Sequence, residues 1–195
     1  IGCDFWPTVV TNSVWSIFDY AVVVANAGMQ TADVTVSRNG QTLKTVQVAP
    51  NSLQTVYLPW VTELKGQDGD SCGSVVLLTG SLRANGGAYH LVSSVPVTVY
   101  QFNALEYQGI GGPPGKSWGA CPGNQICAQS FSAIGCFSFT NDASLLLPST
   151  AMTGNYRVTS QSDWADVAEG AYFAVTGTQD NTNVTVYVPQ GALPP

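Results

Sequence analysis

The sequence has very few charged residues. Only 9% of its 195 residues are Asp, Glu, Lys or Arg, against about a quarter in an average soluble domain. Six Lys and Arg stand against twelve Asp and Glu, which gives a formal net charge of -6, and no basic run occurs. Because binding to a phosphate backbone needs concentrated positive charge, we do not expect nucleic acid as a partner.

Long apolar runs are also absent. Runs such as residues 21–25 and 145–147 have the length of single strands, whereas a membrane-spanning helix needs about 18 or more apolar residues. We therefore expect no transmembrane segment. Hydrophobic residues still make up 45% of the chain, which is enough to build the core of a folded protein.

Histidine occurs once, and the five cysteines include no Cys-x-x-Cys pair. A structural zinc site lacks its usual ligands, so the cysteines indicate disulfides formed in an oxidising compartment, and an extracellular or outer-cell-surface location. The short Pro/Gly loop between Cys121 and Cys127 predicts the first pair, and Cys136 with Cys72 is the second. Cys3 is then free or pairs outside this chain. Spacing alone leaves the connectivity open.

What the sequence contains instead is alternation of apolar and polar residues with a period of two. Asn39-Gly40 predicts a two-residue type I′ hairpin turn, and no window shows helical periodicity. The pattern predicts an all-β protein, an antiparallel β-sandwich that is Ig-like or jelly-roll-like and carries a long disulfide-bearing loop. The predicted strands are residues 14–24, 34–36, 42–48, 52–58, 74–78, 89–92, 95–102, 136–140, 144–147 and 156–159.

The order of the segments predicts two related parts. A long loop rich in Gly, Pro and Cys covers residues 106–135, and a loop of this length is typically a binding or bridging element. Residues 21–36 align without gaps with residues 171–186, each a strand, a polar turn and a strand that ends in Val-Thr-Val. We expect a β-sandwich unit at 1–140 and the start of a second, related unit at 141–195, packed on the first or continuous with it. Chance similarity of two hairpins is the alternative.

Several blocks of the chain resemble a known family. They are residues 3–7 (Cys-Asp-Phe-Trp-Pro), 14–26, 49–53, 95–103 and 139–156. Together they are similar to the IgGFc-binding protein N-terminal domain family, and most to its bacterial, myxobacterial-type secreted members. The resemblance implies an extracellular β-rich module without catalytic residues. Loop changes alter partners on a retained scaffold, so we do not expect Fc binding itself to carry over.

The sequence offers little to a catalytic site. His90 is the only possible histidine base, and Ser94 lies too far along the same alternating strand to be its nucleophile. Acidic residues near Trp164 would suit a glycan-active hydrolase, which needs two carboxylates; they are Asp163, Asp166 and Glu169. A solvated acidic surface is the simpler interpretation of these residues. We therefore predict no catalytic residues and no enzyme.

Loop tryptophans are the better candidates for a ligand site. Trp118, Trp164 and Trp60 lie in or beside loops, where an indole ring can anchor a partner or can close the end of a sandwich core. Asp68 and Asp70 offer a weak calcium site, although an Asx turn is the usual role of such residues. No other cofactor is expected.

These observations favour a non-catalytic extracellular binding or adhesion module of a larger secreted or surface protein. It would recognise a protein or glycan partner through its loops, chiefly residues 106–135. One alternative is a structural repeat of an extracellular fibre or surface layer, which self-assembles through neighbouring repeats. A glycan-active hydrolase is the other.

Overall fold

The computed structural model describes residues 1–76, 78, 80–127, 130–160 and 171–188. These ranges contain seven strands, one single-turn α-helix and two 3-10 turns, at Pro122–Asn124 and Ser149–Ala151. No helix in them is both long enough and apolar enough to cross a membrane. The elements are β1 (Gly2–Phe5), β2 (Tyr20–Asn26), β3 (Ala32–Arg38), β4 (Gln41–Val48), β5 (Ser52–Leu58), α1 (Thr62–Lys65), β6 (His90–Asn103) and β7 (Ala143–Leu145).

All strand pairings are antiparallel, which confirms the predicted all-β fold. The strand order is β4-β3-β6-β2-β5, and β1 and β7 also pair with β6. The first half of β6 pairs with β1 and β3, whereas its second half pairs with β2 and β7. The sheet therefore has two four-stranded halves that share β6 and enclose one core.

The change of partners along β6 occurs around a proline. Ser93 is the last residue that pairs with β3, and Thr98 is the first that pairs with β2. Pro96, which has no N–H to donate, lies in the gap between these pairings. The sequence predicts a turn or a bulge at Ser93-Ser94 between two strands. No turn separates the strands, but the pairing with β1 shifts in register between Val92 and Val97. β6 is one strand of 14 residues, and the proline marks where it passes from one half-sheet to the other.

The core lies between the two half-sheets. Alternate residues of β6, Leu91, Val97 and Val99 among them, are buried against the apolar faces of the other strands. Burying a valine or leucine side chain stabilises a fold by about 1.5–3 kcal/mol. The buried core residues are Phe5, Val9, Tyr20, Val22, Val24, Ala32, Val34, Val36, Val48, Val56, Leu58, Val61, Tyr89, Leu91, Val97 and Val99.

Local turn chemistry determines the hairpin between β3 and β4. Asn39 and Gly40 have φ values of 51° and 72°, the left-handed values that a type I′ turn needs, which confirms the predicted turn. The predicted strand at 52–58 is β5. The turn and β5 match the predictions made from the sequence, because the residues that determine each of them are adjacent in the chain.

Other predicted strands are wrong. Residues 14–18 form a turn in which the Phe18 N–H donates to Trp15 O, and β2 begins only at Tyr20. Residues 136–140 make a single bridge at Phe137, and residues 156–159 are not in a strand. Trp15 and Phe18 are buried in a separate apolar cluster, whereas Phe139, Tyr156 and Val158 are exposed, so a period of two is not by itself evidence of a strand ladder.

The C-terminal part adds β7 to the sheet and then runs against the N-terminal segment. Thr176 Oγ1 lies 2.7 Å from Thr8 Oγ1, and the Tyr172 hydroxyl donates to Thr11 O at 3.3 Å. Residues 171–188 contain a turn near Asn181 but no strand. The proposed repeat of the first hairpin and the division at 141 stay predictions.

Candidate binding surface

The cysteine-bearing loop leaves the sheet at the end of β6 and is fastened at its base. The Leu105 N–H donates to Asp19 O at 2.8 Å, and the Gly109 N–H donates to Cys136 O at 2.8 Å. The Ser138 N–H donates to Tyr107 O at 2.9 Å. These backbone hydrogen bonds hold the two ends of the loop side by side.

Two disulfides cross-link the loop. Cys121 pairs with Cys136, with their Cα atoms 5.8 Å apart, and Cys72 pairs with Cys127, with their Cα atoms 5.3 Å apart. The predicted pairs Cys121–Cys127 and Cys72–Cys136 are therefore wrong, although the same four cysteines form the bridges. Cys3 is free.

A close backbone approach explains why Cys121 pairs with Cys136. Gly123 packs against the Trp15 ring and the backbone of Gly135, whose N–H donates to Gly123 O at 2.8 Å. A Cβ at Gly123 would lie 2.0 Å from Gly135 O, so only glycine fits. This contact places Cys121 beside Cys136, while Cys127 continues toward the loop that carries Cys72.

An apolar cluster separate from the main core lies under the loop. Trp15 and Phe18 are buried in it, and the Trp15 indole donates to the carbonyls of Gly69 and Asp70 at 3.0 and 3.1 Å. The disulfide Cys121–Cys136 covers the cluster. Its other members are Val14, Ile17, Trp60, Ala104, Trp118 and Ile134.

Trp118 forms part of the wall of this cluster and is half-buried. Its ring centroid lies 5.1 Å from that of Phe18, and its indole N–H donates to Gly111 O at 3.1 Å. The Lys116 ammonium sits 4.4 Å from the centroid of the indole. The ring is therefore fixed in orientation, and its role as a ligand contact stays a prediction.

Charged groups are concentrated where the loop meets β2. The Lys116 ammonium pairs with Asp19 Oδ2 at 2.5 Å, and Glu106 Oε2 accepts the Asp19 N–H at 2.9 Å. The Glu106 side chain is buried, and its Oε1 has no hydrogen-bond partner among the described residues. Burial, followed by the neighbouring Asp19 carboxylate, raises the pKa of Glu106 to about 7.

The outer face of the loop exposes apolar side chains. Tyr107, Ile110, Ile126 and Phe131 are 51%, 66%, 70% and 106% exposed. We call the described part of this loop, residues 106–127 and 130–138, the loop platform. It combines an exposed apolar face with a backbone that two disulfides restrain, the combination expected of a docking surface.

The other two predicted tryptophans differ from Trp118. Trp60 is half-buried between the main core and the cluster, and its indole donates to Phe18 O at 2.7 Å. Its ring lies 5.7 Å from that of Tyr20, a packing arrangement. Trp164 lies outside the described residues, as do Asp163, Asp166 and Glu169.

The two candidate calcium ligands are engaged in hydrogen bonds. Asp68 Oδ1 accepts from the buried Lys65 ammonium at 2.7 Å and from Ser16 Oγ at 2.6 Å, and its Oδ2 accepts from Ser16 N. Asp70 Oδ1 accepts two backbone N–H groups of its own turn. In the described ranges no group of three or more His, Cys, Asp or Glu side chains is arranged to hold a metal ion. Calcium at this turn stays a prediction.

His90 makes one side-chain hydrogen bond and one ring contact. Its Nε2 lies 2.7 Å from Asp4 Oδ2, and its ring stacks on Trp6 with centroids 4.3 Å apart. Burial raises the pKa of Asp4, but hydrogen bonds from His90 and other groups outweigh it and lower the pKa. The hydroxyl of Ser94 accepts the Asp33 N–H instead, so it does not contact His90.

Sequence reasoning missed two arrangements that join distant residues. Asp4 and His90 are 86 residues apart, and Asp19 and Glu106 are 87 apart. No local pattern connects either pair, since each depends on which strands become neighbours. The only available sequence signal was the small number of charged residues, which makes a buried carboxyl group an unusual feature of this chain.

Comparison with known proteins gives one match. Residues 142–194, a little over a quarter of the chain, match the family model described as IgGFc binding protein. No curated protein and no solved structure matches the chain. The matched range includes β7 and the segment that runs against Thr8 and Thr11. The resemblance to the IgGFc binding protein family is thus confirmed over residues 142–194.

Proposed function

We propose that this chain is a non-catalytic extracellular binding module that recognises a protein or glycan partner through the loop platform. The family match supports binding as the general function, and the description of that family names a protein ligand. Two disulfides support an oxidising, extracellular setting. Adhesion within a larger secreted or surface protein is the context that these features favour.

One observation carries the proposal: the platform exposes apolar anchors on a cross-linked backbone. Binding orders side chains and loops, and this ordering costs about 0.5–1.5 kcal/mol for each immobilised side chain. The disulfides Cys121–Cys136 and Cys72–Cys127 restrict the freedom of the loop backbone before a partner arrives, so less of the loop has to be ordered on binding. The exposed isoleucine and aromatic side chains can then be buried against a partner and stabilise the complex.

The proposal is tested with matched surface substitutions. The folded, oxidised chain is screened on a glycan array and against a panel of secreted glycoproteins that includes immunoglobulin G Fc. The best partner is then measured with the double variant Ile110→Ser/Ile126→Ser and with Leu53→Ser. Leu53 is 66% exposed on β5, as Ile110 is on the platform, so it controls for loss of exposed apolar area.

We expect the platform variant to bind about tenfold more weakly or worse, since it removes two anchors of about 1 kcal/mol or more each, and the β5 variant to bind as the wild type does. A screen without any partner, or equal weakening by both variants, would contradict the proposal. Trp118→Phe, which replaces the indole by a smaller aromatic ring without the N–H that donates to Gly111 O, tests the predicted contact at this residue: weaker binding is expected.

A second candidate function, end-to-end structural assembly, is favoured by the apolar surface of the C-terminal part. Large side chains exposed there include Leu145, Leu147, Tyr156, Val158, Val175, Val184, Tyr187 and Val188. Contiguous apolar surface on this scale typically marks an interface. Sedimentation over a range of concentrations tests this function: association that increases with concentration is expected, and a chain that stays monomeric at every concentration would contradict it.

A further inference from the structure

A groove of about 1320 Å³ lies apart from the loop platform. Its walls are the β3–β4 turn, residues 64–67, residues 80–88 and residues 171–180. None of its lining residues belongs to the platform, so whatever it binds would be recognised independently of a partner held there. A groove of this size accommodates several sugar-sized or peptide-sized units.

The groove concentrates positive charge in an acidic protein. Arg38, Arg83 and Lys65 line it, and they are three of only six Lys and Arg residues in a chain of net charge -6. Asp180 is the one acidic residue among the described lining residues. Lys65 is buried and paired with Asp68, so the two arginines supply the available charge.

Both guanidinium groups have hydrogen-bonding capacity left. Arg38 Nε donates to Gly86 O at 2.8 Å, and its guanidinium lies 5.9 Å from the centroid of the Tyr89 ring. These contacts orient the group and use part of its five-donor capacity. Arg83 is exposed and forms no ion pair with the described residues. The planar guanidinium fork matches the geometry of a carboxylate or sulfate and binds it through two parallel hydrogen bonds.

An aromatic pair forms another part of the wall. The Trp6 and His90 rings are stacked with an interplanar angle of 13°, and Asp4 holds His90 through Nε2. Both rings line the groove. Because the two rings stack face to face, one face of each is covered, and an outer face of the pair, fixed in orientation, suits the apolar face of a pyranose ring.

The remaining polar lining is made of hydroxyl and amide side chains. Each of these groups can donate and accept hydrogen bonds, as sugar hydroxyls also do. They include Thr8, Ser37, Asn39, Gln67, Ser81 and Asn85. An acidic peptide would use the arginines but would make little use of this lining or of the flat ring pair.

We propose that this groove binds a glycan that carries carboxylate or sulfate groups. The arginines hold the anionic substituents, the Trp6–His90 pair supports a ring, and the hydroxyl and amide groups bind the sugar hydroxyls. This site is separate from the partner-binding surface proposed above. It would give the module a second ligand, of defined charge, at a separate set of residues.

The experiment titrates the oxidised chain at low ionic strength with four probes: a heparin-derived hexasaccharide, hexagalacturonate, neutral chitohexaose and hexaglutamate. Saturable binding of at least one anionic saccharide, tighter than that of the neutral sugar and of the peptide, is the expected result. Added salt should weaken this binding because Arg83 is exposed to solvent and Arg38 is only half-buried. Equal binding of hexaglutamate, equal binding of chitohexaose, or no saturable binding of either anionic saccharide would overturn the proposal.

Two substitutions locate the site. Arg83→Gln should weaken the anionic saccharide about tenfold, since it removes one charge-assisted contact. Lys44→Gln removes the same charge from an exposed position of β4 outside the groove and should leave affinity unchanged. Trp6→Ala should also weaken binding in a chain whose thermal unfolding shows that it is folded. Equal effects of Arg83→Gln and Lys44→Gln would show that binding is non-specific and would refute the groove.

Discussion

Glu106→Gln should remove a pH-dependent penalty from the folded state. The Glu106 carboxyl is buried at the junction of the loop platform and β2, beside the Asp19 carboxylate, and its pKa rises from 4.5 to about 7. At 1.36 kcal/mol per pKa unit, this rise corresponds to about 3 kcal/mol. Asp19 beside it is 20% exposed, and solvent near the pair reduces the effect to roughly 1–2 kcal/mol.

The sign follows from proton linkage. Below pH 4.5 Glu106 is protonated in both the folded and the unfolded chain, and its favourable contribution is fully present. As the pH rises toward 7, the unfolded chain loses this proton while the folded chain retains it, so the contribution is progressively lost. Above pH 7 the folded chain holds a buried carboxylate with an unpartnered Oε1.

The assay is urea unfolding at pH 4, 5, 6, 7 and 8 with the disulfides intact. The neutral amide keeps an oxygen for the Asp19 N–H and offers an N–H to the Asp19 carboxylate. The variant should match the wild type near pH 4 and be about 1–2 kcal/mol more stable at pH 8. Glu63→Gln, at an exposed position of α1, is the control and should give no pH-dependent difference. Parallel wild-type and Glu106→Gln curves from pH 4 to 8 would refute the assigned environment of Glu106.

Three further predictions concern the scaffold. Gly123→Ala should lower the free energy of unfolding by roughly 3 kcal/mol, because the added Cβ would overlap the backbone of Gly135 and the Trp15 ring. Gly154→Ala is the control: Gly154 has open space around it, so the substitution should be neutral in the same urea titration. Asn26→Ala should cost about 2–3 kcal/mol because the buried amide donates to three backbone carbonyls; a change under 0.5 kcal/mol would contradict its bonding role. Mass spectrometry of unreduced peptides should find the two disulfides described above, and a peptide that joins Cys121 to Cys127 would exclude them.

The parts of the fold that the sequence predicted are those encoded within a few residues. Asn39-Gly40 contains the whole signal for its turn, and β5 lies between two turn segments that define its ends. The strand predicted at residues 14–18 failed because Trp15 and Phe18 are apolar for a different reason: they form the cluster under the loop. Alternating apolar and polar residues indicate that one face of a segment is buried, but they do not show which element packs against that face.

The site was predicted only in outline, for a related reason. The position of the cysteine-bearing loop and the identity of the four cysteines that form bridges follow from composition, but their pairing depends on the contact of Gly123 with Gly135. The groove depends on the β3–β4 turn meeting residues 80–88 and 171–180. The topology determines which segments become neighbours, and no local spacing of residues in the sequence encodes these contacts.

The shared strand β6 also imposes an order on folding. Before residue 90 has been made, the chain can form only the β3–β4 hairpin and the β2–β5 pair that encloses it; β1, β2 and β3 have no common neighbour until β6 arrives. Every such pairing closes a long loop, so the contact order is high and folding should be slow for a chain of this size. Until then the nascent chain would hold one hairpin and one further strand pair, both with open edges, and the sheet would assemble in one cooperative step once β6 emerges.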